Sequence, residues 1–371
     1  MKGKIHGGRR VRKRACAGAP SIKTPAKGHR AYRNPAWHGL LLACVFLFGC
    51  SPQYRGNLDL SMENRIFWPG PPEKPKIGYL WSLSSLAQEG KSALDVLAGS
   101  DSHDLKTVPY LMRPMSIYQR GERLYIADPG AARVTVVNLS SMEVFHMGVS
   151  GQGELAFPVS VVADREGYVY VSDSTIRKVL KYDRSGSFVA AIFSDGRPVG
   201  LAYDDGSDTL YVSDASRHTI HALDRNGSVR FTIGSRGAEE GEFNYPTYLW
   251  VDGEGRLYVS DTLNSRIQVF DSHGRFLSTF GVRGDAYQEL AGPKGVAVDA
   301  SGNIFVVDSK QGMVKIFNGS GRLLLFFGDE GTGYGKFNLP NGIFIAGNTL
   351  YVADTYNMRV QAFQFIEKSG D

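Results

Sequence analysis

Residues 257–270 read Leu-Tyr-Val-Ser-Asp-Thr-Leu-Asn-Ser-Arg-Ile-Gln-Val-Phe. An apolar run ends at Asp261, four loop-forming residues follow, and a second alternating run starts at Arg266. Two short strands joined by a tight loop fit this pattern. The core of the stretch, Tyr258-Val259-Ser260-Asp261, recurs in variant form ending at Asp128, Asp173, Asp214, Asp308 and Asp354. The six aspartates lie 45, 41, 47, 47 and 46 residues apart. Each follows a proline (Pro114, Pro158, Pro198, Pro246, Pro293, Pro340) by 14 to 16 positions. Six copies at this period, built from strands and turn signals such as Asp252-Gly253, predict an all-β propeller of six blades.

Working outward from Asp261, the fourth unit parses into strands at residues 247–252, 257–261, 266–271 and 276–282. They are called a to d from the ring centre outward. The third strand is expected elsewhere at residues 133–139, 178–183, 219–224, 313–318 and 359–365. The last copy stops after strand c, at Phe365. An orphan strand stands at the other end, residues 76–83. This N-terminal strand is expected to complete the sixth blade and close the ring over residues 76–366, since an open sheet edge invites aggregation. An insert at residues 84–113 is long for a propeller connection. Its Leu86, Leu94, Val96 and Leu97 predict a short helix. Residues 367–371 form a tail.

The runs from Asp261 to Phe270 and from Asp354 to Phe363 resemble the NHL repeat. So do the crossovers Gly241–Pro246 and Gly335–Pro340. The resemblance extends over residues 76–366 and implies a six-bladed propeller. It says little about chemistry, because the family includes binding, sensory and catalytic members. The repeated Asp128, Asp173, Asp214, Asp261, Asp308 and Asp354 face Arg133, Arg266 and Arg359 across the b–c loops. A residue present in every blade serves the repeat first, by capping loop N–H groups or pairing with arginine.

Chemistry is hard to find in the body. A zinc lyase of this family needs about three converging ligands. His103, His146, His218, His221 and His273 are scattered over different blades and faces, so no metal or other cofactor is expected. The runner-up reading is a propeller enzyme, of lyase or lactone-hydrolase type, with a metal at the central channel mouth. The residues after the six prolines should line that mouth: Met115, Val159, Val199, Thr247, Lys294 and Asn341. They include no acid–base pair. What remains is the face made by crossovers and b–c loops. There Tyr110, Arg197, Tyr245, Tyr248, Tyr287, Lys294, Tyr334, Asn341 and Tyr356 either form a partner-binding surface or pack beneath the loops. Tyr and Arg are favoured at protein interfaces.

The N-terminus reads differently. Eleven of the 42 basic residues lie in residues 1–49, which contain no Asp or Glu, leaving 31 basic against 37 acidic residues. The positive total therefore does not predict nucleic-acid binding. Residues 39–49 are too short an apolar run to span a bilayer as a helix, which takes about 20 residues. With basic residues before it and Leu47-Phe48-Gly49-Cys50 at its end, the run resembles a lipoprotein signal peptide. Residues 1–49 are expected to be that signal, with a start placed too far upstream, and Cys50 the lipidated residue. All three cysteines lie at or before position 50, so the body holds no disulfide. Residues 50–75, with Pro69, Pro71, Pro72 and Pro75, read as an extended tether. The expected protein is exported, lipid-anchored (in the outer membrane of a Gram-negative cell, on its periplasmic or extracellular side) and monomeric in its body. It is expected to bind another envelope protein or a peptide, with an electron-transfer complex as one kind of partner.

Overall fold

The computed structural model describes residues 54–59, 66–70, 72–74, 76–88 and 110–366. Six antiparallel blades of four strands each stand in a ring: four are separate sheets, and blades 6 and 1 are joined in one ten-stranded sheet. Blades 2 to 5 each use four consecutive strands. In blade 4 these are Pro246–Val251, Leu257–Asp261, Arg266–Phe270 and Phe276–Phe280. Each boundary lies within two residues of the sequence parse. Blade 1 starts at Ser116–Arg120 and ends at Glu143–Met147.

Blade 6 is composite. Its strands a to c are Ile343–Ala346, Thr349–Asp354 and Arg359–Phe365, and its outermost strand is Ile77–Gln88 from the other end of the body. The closure is antiparallel, with Val360 opposite Leu83, Ala362 opposite Trp81 and Phe365 opposite Ile77. Ile77, Tyr79 and Leu83 enter the cores beside this blade.

Two expectations change here. Part of the anticipated tether belongs to the body. Tyr54–Asp59 pairs with the closing strand, and its first two residues also pair with Val144 and Glu143 of blade 1. Phe67–Trp68 pairs with Gly78 and Ile77, and the Trp68 ring packs 5.4 Å from Phe327 and 5.8 Å from Phe363. The reason is the closing strand itself: its outer edge and apolar flank need covering, and these residues cover them. The insert also begins later than expected. Leu86 lies in the closing strand, not in a helix, while Leu94, Val96 and Leu97 lie outside the described residues. Residues 1–49 and 367–371 lie outside them as well.

The repeat's serine has a structural task. Ser172, Ser213 and Ser260, each one residue before the blade's aspartate, donate to a main-chain carbonyl in the next blade: those of Val199, Thr247 (2.9 Å) and Lys294. The ring is thus stitched near its centre by hydroxyls that would otherwise be buried without acceptors. Gly200 is required at the same place, since a Cβ there would lie 1.9 Å from the Thr247 carbonyl oxygen.

Candidate functional site: the crossover face and the channel

All six aspartates are fully buried and anchor the crossover that enters their own blade. Asp128 accepts the N–H groups of Met112 and Arg113 at 2.8 and 2.7 Å. Asp173 accepts those of Ala156 and Phe157, Asp214 that of Arg197, Asp261 that of Asn244, Asp308 those of Ala291 and Gly292, and Asp354 that of Asn338. In blades 4 and 6 an arginine completes the knot. Arg266 and Arg359 donate to Asp261 and Asp354 at 2.9 and 2.7 Å and also to carbonyls of the crossover. Arg133 donates to the Tyr110 carbonyl at 3.1 Å. Burial pushes the carboxyls of Asp128, Asp261 and Asp354 up, against the pull of these donors. Groups so fully engaged hold the face in shape and leave little for a ligand.

The channel is plugged on the same side. Tyr248 is buried, and its hydroxyl donates across the ring to the Met115 carbonyl at 2.8 Å. Burial raises its phenol well above the ordinary range. This corrects its placement on an open binding face. The sequence signal was available: two residues past the proline stand Ser116, Ser160, Gly200, Gly295 and Gly342, and Tyr248 alone is large. Five small residues make room for one ring. Asn341 is likewise buried, donating to Thr355 Oγ1 at 2.9 Å, and is corrected in the same way. Tyr245 is half-buried against the cluster of Val159, Val199 and Ala215, and Tyr334 is half-buried against Tyr79.

Below the plug lies a cavity of about 240 Å³, opening on the opposite face. Tyr118, Trp250 and Phe344 line it, with Phe344 4.8 Å from Tyr118 and 5.3 Å from Trp250. These three sit four residues past their prolines, another regularity that sequence reading missed.

The histidines do not converge. His146 bonds Thr135, and burial followed by the Arg133 charge lowers its pKa to about 3. His218 accepts the Tyr245 N–H at 3.0 Å, His221 bonds Thr232, and His273 is exposed in a c–d turn. His103 lies outside the described residues. Among the described residues no group of three His, Cys, Asp or Glu side chains could hold a metal ion.

Apolar and aromatic side chains stay open on the crossover face, standing among exposed charged ones such as Arg236, Glu240 and Lys336. Eleven large hydrophobic side chains are exposed among the described residues. Seven lie on crossovers or b–c loops: Tyr110, Leu263, Val282, Tyr287, Leu339, Tyr356 and Met358. They gather on blades 4, 5, 6 and 1. The remaining four, Val189, Val229, Leu277 and Leu324, are spread singly over outermost strands. Tyr287 is stacked on Phe326 at 4.3 Å, and the Arg113 guanidinium lies 5.3 Å from the centre of the Tyr356 ring. Arg197 is exposed on the crossover into blade 3. Aromatic groups held rigid at a surface lose little entropy on binding.

This arrangement, six blades with a plugged channel and an ordered crossover face, is that of a β-propeller. The family model for the NHL repeat matches residues 337–363, the sixth unit, so the chain is a six-bladed propeller carrying an NHL repeat. Solved structures of the same fold include virginiamycin B lyase from Staphylococcus aureus. It is 14% identical, with 69% of this chain and 96% of that one covered and a TM-score of 0.52. An auxiliary nutrient binding protein from Bacteroides thetaiotaomicron is also 14% identical, covering 69% of this chain and 70% of that one, with a TM-score of 0.55. At this identity the likeness extends to the fold alone.

Proposed function

We propose that this protein is a non-catalytic binding module of the cell envelope, which holds another protein or a peptide on its crossover face. The observation that carries the reading is the gathering of exposed apolar and aromatic side chains on one end of the ring, above a channel closed by Tyr248. Exposed hydrophobics spread singly are ordinary, whereas a concentration of them on one end of the ring supports an interaction site there. The nutrient-binding Bacteroides propeller lends support by analogy of fold only. A photoreactive residue placed at Tyr356 is expected to form an adduct in cells, and one placed at Val229 is not.

The location is part of the proposal and rests on residues 39–50. Cys50 carries a lipid that holds the body at a membrane surface. Acyl chains contribute about 0.8 kcal/mol per buried CH₂, so more than one chain makes the anchoring durable. Cys50→Ala is expected to move the protein from the membrane to the soluble fraction, or to block its processing. A processed variant that stays on membranes like the wild type would rule the anchor out. Among the described residues no helix is long and apolar enough to cross a membrane.

A further inference from the structure

Blade 5 differs from both of its neighbours at the residue after its proline. In blades 4 and 6 the residue after the proline bonds the threonine after the aspartate: Thr247 to Thr262 at 2.6 Å, and Asn341 to Thr355 at 2.9 Å. Blade 5 has Lys294 and Ser309 at these positions, with no bond between them. It also has Lys310 where its neighbours have Leu263 and Tyr356. Neither lysine is needed to balance the blade's aspartate. Asp308 is already paired with Lys315, fully buried at 3.1 Å, which takes over from the missing arginine at Met313.

Lys294 and Lys310 instead line a pocket of about 400 Å³ between blades 4 and 5 on the crossover face, together with Arg283, Thr262 and Leu263. The Lys310 stem lies over Gly292, where a Cβ would come within 2.8 Å of it. The Arg283 guanidinium donates to the Leu263 carbonyl. Asp285, the one carboxylate among the lining residues, pairs with neither lysine. Among the described residues neither ammonium has a hydrogen-bond or ion-pair partner. Lys294 is half-buried, and burial followed by the Lys310 charge holds its pKa below the ordinary lysine range. Two like charges brought together in a partly dry pocket oppose folding. A pair of cations that blade 5 alone carries at these positions, at a cost in stability, is where function is expected.

We propose that this pocket receives a carboxylate of the bound partner, presented beside an apolar side chain that rests on Leu263. The inference builds on the crossover face as the binding surface and adds the chemistry of what binds there. The apolar neighbour follows from Leu263, which is 48% exposed in the pocket wall, and from Val282 and Tyr287, exposed in the crossover from blade 4 to blade 5 that carries Arg283. A carboxylate would gain charge-assisted bonds from both ammoniums and relieve their repulsion.

The test is a titration of the full chain, labelled with ¹³C-lysine, by N-acetyl-leucine, its neutral amide and inorganic phosphate. The Lys294 signal is identified by its loss in Lys294→Gln. N-acetyl-leucine is expected to shift that signal saturably and the amide to leave it in place. Binding of N-acetyl-leucine should weaken by about tenfold in Lys294→Gln, the scale of one lost hydrogen bond to a charged group. Lys310→Gln, which leaves the inner strand untouched, should also weaken it. Equal binding of the amide, tighter binding of phosphate, or unchanged affinity in both variants would overturn the proposal. Adducts at Tyr356 persisting alongside such a result would sink the carboxylate pocket and leave the binding face standing. Carboxylate binding without adducts would do the reverse.

Discussion

Removal of residues 76–83 is expected to leave a protein that does not reach a stable monomeric state. The deleted stretch contains most of the outermost strand of blade 6, including Ile77, Tyr79 and Leu83, all buried. Burial of such side chains contributes roughly 1.5–3 kcal/mol each, against a typical domain stability of about 5–15 kcal/mol. The deletion also opens the edge of Arg359–Phe365 and uncovers Phe363, fully buried in the intact ring. Size-exclusion chromatography and thermal melting of the variant check this. A soluble monomer melting within a few degrees of the wild type would show that closure is not what holds the ring.

Asp354→Ala is expected to cost about 3–5 kcal/mol, the range for removing one partner of a buried ion pair. The Asp354 carboxylate accepts from the Asn338 N–H, Asn357, Arg359 and Gln361, and its loss removes one acceptor from each, leaving the three side chains only carbonyls of the crossover. The Arg359 guanidinium would then be buried with no anion beside it. Adding Arg359→Met should recover part of the loss by removing that charge. Urea unfolding of wild type, single and double variants measures both effects. A single variant within about 1 kcal/mol of wild type, below the cost of even one such loss, would contradict the role given to the aspartates.

The repeat period exposed the fold to reading because each blade must solve the same local problem. Tyr258-Val259-Ser260-Asp261 and its copies end strand b with a carboxylate that holds the crossover entering the same blade, and that need does not vary around the ring. The closing strand was legible for a related reason: a blade lacking strand d at Phe365 and a strand lacking a blade at residues 76–83 answer one another. Other features depend on distances across the ring, which spacing along the chain does not encode. Tyr245 and Tyr248 flank the same proline, yet one is half-exposed and the other crosses the channel. Tyr54–Asp59 reads as a spacer because nearby prolines dominate its composition, while the edge it covers lies elsewhere in the chain. The substitution of Lys315 for the arginine role at Met313 is visible only once strand c places both beside Asp308.

The account's central claim is that the crossover face over blades 4, 5, 6 and 1 binds a protein partner. The most direct measurement is a photo-crosslinking map in intact cells, with a reactive residue placed in turn at Leu263, Tyr287, Tyr356, Val189, Val229 and Leu277. All six positions are exposed, so accessibility does not separate them. The account predicts one common adduct from Leu263, Tyr287 and Tyr356, with none of that mass from the three outer-strand positions. Adducts of equal yield from both sets, or adducts confined to the outer strands, would contradict it.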